Sequence, residues 1–342
     1  MKFNQKDITV NENMLSTQRL NIGYLNPKSI IASNINLNLQ QGQLYCLIGP
    51  NGSGKTTLLR TLSGFLKPLD GHIFMSGKDL SQFSTSKLST HISIVLTKQP
   101  ALPLLTVFDV VAMGRHPFTD FWGHITASDK AIVLNALRMI NIENKISCFF
   151  DQLSDGEKQK VMIAKALAQQ TPFIFLDEPA AFLDFPSRIE IMQLLSELAH
   201  HQNKTILLST HDVPLAFQYA DEIILMALSK PTISAKPSKI ILENLLEDYF
   251  ALNGKKYNPF SLPNYFKYPL KHPIFIVGNE ESHSPLKVLL EQRGFSTVSK
   301  PEESQCLLKV DNNGEIKFYY HQQVLKFKRL EEFDIFLKNV QE

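Results

Sequence analysis

The sequence predicts an α/β protein built on a mainly parallel sheet, followed by a small second α/β unit. Three observations carry this reading. Between Leu20 and about Leu228, strand-like apolar runs alternate with stretches of helical periodicity. A glycine-rich loop follows one of those runs and opens a helix. Residues 229–240 (SKPTISAKPSKI), rich in Pro, Ser and Lys, then interrupt the pattern before it resumes in shorter form.

Taken in order, strands are expected at Gln43–Ile48, Ile92–Leu96, Phe173–Leu176 and Thr205–Leu208. Between the last two, Pro186 can start a helix, and Ser187–His201 places Ile191, Leu194, Leu195 and Leu198 on one face. The first domain is therefore drawn over residues 1–230. A linker over 231–272 carries a short helix, Leu242–Leu252, and then a Pro/Tyr/Asn-rich stretch. Residues 273–342 form the small unit. Pro273–Val277 is expected as a strand and Ser284–Arg293 as a helix. Cys306–Val310 and Ile316–Tyr320 are strands around an Asn-Asn-Gly turn at 312–314, and Leu330–Val340 is a closing helix. No motif in this unit carries recognisable chemistry.

Composition narrows the class. The chain has 342 residues, enough for one large and one small domain. At 44% hydrophobic and 20% charged residues it is globular rather than wholly disordered. Lys+Arg number 35 against 33 Asp+Glu, a balance that excludes a strongly basic nucleic-acid binder. Cys46, Cys148 and Cys306 are far apart and form no CxxC, so neither a zinc site nor a disulfide framework is expected. The first 13 residues are polar and lack the apolar segment of a secretion signal. No run approaches the ~18 apolar residues that spanning a bilayer needs.

The strongest local signal is Gly49-Pro50-Asn51-Gly52-Ser53-Gly54-Lys55-Thr56, a full G-x-x-x-x-G-K-[ST] match set between a strand and the helical Thr57–Phe65. Glycines let backbone N–H groups turn inward around phosphate oxygens, and the helix N-terminus adds partial positive charge. Lys55 can reach the β- and γ-phosphates, and the Thr56 hydroxyl can ligate Mg²⁺. The second signal is Phe173-Ile174-Phe175-Leu176-Asp177-Glu178, an apolar strand ending in two carboxylates. Ligands of parallel sheets sit at the strands' carboxyl ends, so Asp177 can hold the Mg²⁺ shell and Glu178 can polarise the attacking water. One strand later, TILLST ends at His211-Asp212. A right-handed crossover leaves both strand ends on one edge, where His211 can sense a γ-phosphate.

Leu153-Ser154-Asp155-Gly156-Glu157-Lys158-Gln159 lies just upstream of the acidic strand. Ser154 with Glu157 matches a capping box that starts a helix, whose free N–H groups can face an anion. With the phosphate loop and Leu176-Asp177-Glu178-Pro179, this segment resembles the signature of an ABC-transporter ATPase, over about Leu20–Leu228. The resemblance implies a P-loop NTPase cassette with antiparallel edge strands and a helical subdomain at about 100–170. It also implies ATP and Mg²⁺ as ligands. By position, Tyr24 resembles the aromatic that stacks on adenine, Gly49–Thr57 the Walker A loop, and Phe173–Glu178 the Walker B strand with Glu178 as catalytic base. Ala181-Phe182-Leu183-Asp184 resembles the loop coupling two sites across a dimer, and His211 the switch histidine. Two cassettes of this family pack head to tail, so Ser154, Gly156 and Glu157 of one copy are expected over the ATP of the other.

Two departures stand out. Asp155 occupies a position where the family usually has glycine, and a carboxylate there repels triphosphate unless it points away. The family's glutamine linking ATP to the membrane subunit falls, by spacing from Thr106-Val107, on Thr97, whereas the glutamine here is Gln99. Either the loop is remodelled and Gln99 meets nucleotide and metal, or the contact is altered.

Thr106–Gly123 (TVFDVVAMGRHPFTDFWG) resembles the surface that docks on the permease in importers of iron–siderophore complexes, haem and cobalamin. Its aromatic, amphipathic content suits a groove contact with a coupling helix; buried packing is the plainer reading of the same residues. The resemblance implies an ATPase subunit on the cytoplasmic face of the inner (plasma) membrane, peripheral to a polytopic permease. It would work as a homodimer, with a substrate-binding protein as an indirect partner and no nucleic acid. The alternatives are an exporter ATPase, against which Gly114-Arg115-His116-Pro117 argues, and a soluble non-transport cassette protein.

Overall fold

The computed structural model describes residues 14–340 except 98–99, 121, 244, 251–271, 278–285, 292, 294, 299, 302–303, 305, 312–314 and 321–322. It forms two units. One holds the described residues through Asp212 with Ala220–Ser234, and the other holds Val213–Tyr219 with those from Ala235 onward.

In chain order the first unit contains β1 (Leu15–Leu25), β2 (Lys28–Ile35), β3 (Asn38–Leu39), β4 (Leu44–Ile48), α1 (Lys55–Leu62), β5 (Asp70–Met75), β6 (Lys78–Asp79) and α2 (Thr85–Ser89). There follow β7 (Ile92–Val95), α3 (Val107–Ala112), α4 (Ala127–Met139), α5 (Asp155–Ala168), β8 (Phe173–Asp177), α6 (Phe185–Gln202) and β9 (Thr205–Ser209). After α7 (Val213–Tyr219) come β10 (Glu222–Leu225) and β11 (Ile233–Ala235).

The central sheet runs β11-β10-β4-β9-β8-β7, and its pairs from β10 to β7 are parallel. Every residue of β4, β8 and β9 is buried. That explains why these strands read as continuous apolar runs rather than as alternations: a parallel sheet is covered on both faces. Leu47 and Asp177 both pair with Ser209, from opposite sides of β9. The phosphate loop, the acidic pair and His211 therefore leave the sheet along one edge.

A second, antiparallel sheet runs β2-β1-β5-β6, with β3 also on β1. Helices α3, α4 and α5, with a 3₁₀ turn over Met113–Phe118, form the chain segment that connects β7 to β8. Helix α6 begins at Phe185, with Pro186 in its first turn and the Asp184 side chain accepting from the Ser187 N–H as cap. It ends on Asn203, whose left-handed φ of 53° closes the last turn.

The second unit continues with α8 (Pro237–Leu242), α9 (Leu245–Phe250), β12 (His272–Val277), α10 (286–291), β13 (Phe295–Val298), β14 (Cys306–Val310), β15 (Ile316–Tyr320), β16 (Gln323–Phe327) and α11 (Leu330–Val340). Its sheet runs β13-β12-β14-β15-β16, parallel on both sides of β12 and antiparallel beyond. Ile274, Leu290, Leu308, Phe333 and Leu337 centre its core. Asp334 is buried there; burial opposes its charge, but Arg293 at 2.7 Å and Lys236 at 3.1 Å hold its carboxyl below the usual range.

Several expectations change. The helix expected over Leu242–Leu252 is instead α8 and α9, because Pro237 starts a helix earlier and Lys236 ends the extended run before it. Residues 251 and 252 and the expected turn at 312–314 lie outside the described residues. The segment 229–240 holds β11 and most of α8 rather than a plain boundary. β13 and β16 are additional short strands, the first buried to partly buried and the second mostly exposed.

Candidate active site

The phosphate loop departs from β4 at Gly49, where a Cβ would collide with the Met226 carbonyl oxygen, so no larger residue fits. Gly52 and Gly54 hold φ of 78° and 100°, which turn the loop in a way L side chains resist. Asn51 and Gly52 form its exposed tip, and Pro50 and Gly54 are partly buried. Helix α1 starts at Lys55, whose Nζ donates to the carbonyls of Gly49 at 2.8 Å and Pro50 at 3.0 Å. Burial pushes the Lys55 ammonium down, while Glu178 and Asp177 pull it back up. Ser53 Oγ is buried with no hydrogen-bond partner among the described residues. An orphaned hydroxyl and a desolvated lysine on one glycine-rich loop fit a phosphate chain, whose oxygens would give both an anionic acceptor.

Asp177 is 2% exposed. Its Oδ2 accepts from Thr56 Oγ1 at 2.8 Å and from Thr97 Oγ1 at 3.0 Å, and its Oδ1 accepts from Ser209 Oγ at 2.7 Å. At the next residue the chain turns sharply: Glu178 has φ of 53°, and its N–H donates to Ser209 Oγ at 2.9 Å. The Glu178 carboxylate then meets His211, with Oε1 2.7 Å from Nε2. Tyr24 is 42% exposed, and its hydroxyl lies 3.4 Å from Thr57 Oγ1, beside the same loop. Thr56 and Asp177 offer hard oxygen donors of the kind Mg²⁺ takes. Among the described residues no group of three His, Cys, Asp or Glu side chains could hold a metal, and Mg²⁺ sites with phosphate need only one or two carboxylates.

The signature residues are built differently. Ser154 caps α5: its Oγ accepts from the Glu157 N–H at 3.3 Å, and Glu157 Oε2 accepts from the Ser154 N–H at 3.0 Å. Glu157 also pairs with Lys145 at 3.3 Å. A Cβ at Gly156 would stand 3.1 Å from the Phe182 carbonyl, so the start of α5 lies against the loop ending at Asp184. Asp184 spends its carboxylate on the Ser187 N–H at 3.1 Å. These hydrogen bonds serve the helix starts rather than the Lys55–Asp177–Glu178 cluster. Asp155 is exposed on the first turn of α5. Gln99 lies outside the described residues. Thr97 is described, and it reaches Asp177.

Sequence reasoning missed Ser209. Its only signal was a hydroxyl at the carboxyl end of the strand next to the acidic one. The Thr106–Gly123 segment divides into two parts. Gly114 and Arg115 are buried, with Arg115 Nε donating to Asp129 Oδ1 at 2.8 Å and Nη1 to the Ala168 carbonyl at 2.9 Å. Met113, Phe118 and Trp122 are exposed, as is the nearby Leu104. The first group is structure, and the Arg115 guanidinium lies over the Phe118 ring at 4.3 Å; the second group is exposed at the surface.

A parallel sheet with a phosphate loop on one strand end and a carboxylate pair on another defines a P-loop nucleotide hydrolase. Residues 32–181 match the family model described as ABC transporter. An uncharacterized ABC transporter ATP-binding protein of Methanocaldococcus jannaschii is 36% identical over 286 residues, 82% of this chain and 97% of that one. The iron(3+)-hydroxamate import ATP-binding protein FhuC of Bacillus subtilis is 33% identical over 71% of this chain and 90% of its own length. The dimeric structure of the bacterial ABC transporter cassette MJ0796 superposes with a TM-score of 0.58 at 26% identity, covering 65% of this chain and 98% of that cassette. The chain belongs to the ATP-binding subunits of ABC transporters, and it is an ATPase of that family.

Proposed function

We propose that this chain is the ATP-hydrolysing subunit of an ABC importer for a metal-chelate substrate of the iron–siderophore, haem or cobalamin type. One observation carries the hydrolytic part: Lys55, Thr56, Asp177, Glu178 and His211 converge on one edge of one sheet. The importer part is supported by the iron-hydroxamate import relative, which spans 71% of the chain, and by the exposed Leu104, Met113, Phe118 and Trp122. The same relative weighs against the exporter and non-transport readings.

In this reading Gly49–Thr57 wraps the phosphates, Lys55 leaves its two carbonyl partners for the β- and γ-oxygens, and Tyr24 stacks on adenine. Thr56 and Asp177 would hold Mg²⁺, which supplies charge neutralisation at the β- and γ-phosphoryl oxygens. Glu178 accepts the proton of the attacking water. His211, already on Glu178 Oε1, orients that carboxylate and senses the γ-phosphate. Ser154, Gly156 and Glu157, at the start of α5, present N–H groups to the nucleotide of a second copy, and Asp184 couples the two sites. The pair of cassettes works on a polytopic permease at the cytoplasmic face of the plasma membrane. No helix among the described residues is long and apolar enough to cross a membrane itself. Substrate arrives through the permease from a binding protein that this chain does not touch.

The test uses a tagged Glu178→Gln chain purified with ATP from detergent-solubilised host membranes. Mass spectrometry should find a stoichiometric polytopic subunit. Recovery as a free dimer, or with ribosomes, contradicts the transporter reading.

A further inference from the structure

Asp177 carries three hydroxyl donors from three different segments: Thr56 in α1, Ser209 at the end of β9, and Thr97 just past β7. The first two follow from the phosphate loop and the sheet register. Thr97 comes from the other flank, two residues past the pairing of Val95 with Leu176. Its Oγ1 lies 3.0 Å from Asp177 Oδ2 and 3.1 Å from the Asp177 carbonyl oxygen, so one hydroxyl proton is shared between side chain and main chain of the same residue.

We propose that Thr97 is a positioning residue for the metal site: its hydroxyl fixes the plane of the Asp177 carboxylate so that the carboxylate meets Mg²⁺ pre-aligned. The inference rests on the Mg²⁺ site proposed above. A carboxylate anchored through only one oxygen rotates about its Cβ–Cγ bond. Ser209 anchors Oδ1 alone, and the Thr56 hydroxyl must also offer its oxygen to the metal. Thr97 is the second donor on Oδ2, and it arrives from the opposite flank, along the strand β7 that pairs with β8. Hydrogen-bond donors behind a metal ligand commonly contribute about 10- to 100-fold in metal affinity. Thr97 also stands two residues beyond Val95, where the chain leaves the sheet for α3, so the same hydroxyl ties that exit to the metal's carboxylate.

The experiment compares the full-length wild-type chain with Thr97→Val, Thr97→Ser and Asp177→Asn. A fluorescent ATP analogue is titrated with Mg²⁺ and with EDTA, giving the gain in nucleotide affinity that the metal brings. Electron paramagnetic resonance then measures Mn²⁺ affinity in the presence of ATP. Thr97→Val, which keeps shape and loses the hydroxyl, should reduce both the metal-dependent gain and Mn²⁺ affinity about 10-fold, with metal-free ATP affinity unchanged. Thr97→Ser should restore both. Wild-type values for Thr97→Val, or a serine variant as impaired as the valine one, would overturn the assignment. Asp177→Asn separates the two levels. If it keeps the metal-dependent gain, the metal site itself is wrong; if it loses the gain and Thr97→Val does not, only the role of Thr97 falls.

Discussion

The Thr56 hydroxyl donates to Asp177 Oδ2 at 2.8 Å across 121 residues of chain. Thr56 ends the glycine-rich loop and Asp177 ends a strand two places away in the sheet, with β9 between them. The bond exists because β4, β9 and β8 run parallel and in register, which delivers a phosphate loop and a carboxylate to the same edge. The proposed hydrolytic site is assembled by sheet topology rather than by proximity in sequence.

Lys55 is buried and desolvated, with two carbonyls as its hydrogen-bond partners. Replacing it by alanine leaves the loop without its one mobile cation. Charge-assisted hydrogen bonds contribute about 1.5–3 kcal/mol, so Lys55→Ala should weaken ATP on the order of 10- to 100-fold. Titration calorimetry checks this; unchanged affinity removes the phosphate assignment.

Tyr24 presents a partly exposed ring beside Thr57. If adenine stacks there, Tyr24→Ala should weaken ATP by about 10-fold and inorganic triphosphate hardly at all, as expected for one base–aromatic stack. Competition titrations with the two ligands decide, and equal losses would sink the stacking role.

Leu104 is 84% exposed and Trp122 79%. Exposed large apolar side chains of this kind mark interaction surfaces. The double variant Leu104→Ser, Trp122→Ser should keep the wild-type melting temperature and lose most of the polytopic subunit in membrane pull-downs. Full retention would move the docking surface elsewhere.

Glu291, in α10, has Oε2 buried and without a hydrogen-bond partner among the described residues. Burial pushes its carboxyl up from 4.5 to about 7, against the pull of Lys287. Because the folded value lies above the unfolded one, the contribution of this group to stability is full below about pH 4.5 and is lost as pH rises through about 7. Glu291→Gln should therefore slow amide exchange in β12 and β14 several-fold at pH 8 and leave it unchanged at pH 4.5. The same slowing at both pH values would show that the carboxylate charge is not the cause.

The legible parts of this site were those written in contiguous residues. Gly49–Thr56 needs only its own spacing, and Asp177-Glu178 needs only an apolar run ending in acid. The capping box of Ser154 and Glu157 was equally local, and the structure has both of its hydrogen bonds. Ser209 could not be read, because its place beside Asp177 is set by the register of β8 on β9. Arg115 was read within a docking segment, yet it lies buried on Asp129, since periodicity does not distinguish a buried ion pair from an exposed basic residue. The short β13 and β16 escaped for a related reason: runs of four and five residues (FSTV and QVLKF) are too brief, and their apolar positions too irregular, to show alternation.

The most direct measurement on the central claim is single-turnover hydrolysis by Glu178→Gln beside equilibrium binding of Mg·ATP. One ATP should bind per chain at wild-type affinity, with hydrolysis slowed by ~10² or more, the scale of a lost general base. Wild-type turnover in that variant would contradict the assignment of Glu178 and, with it, the hydrolytic site at this edge of the sheet.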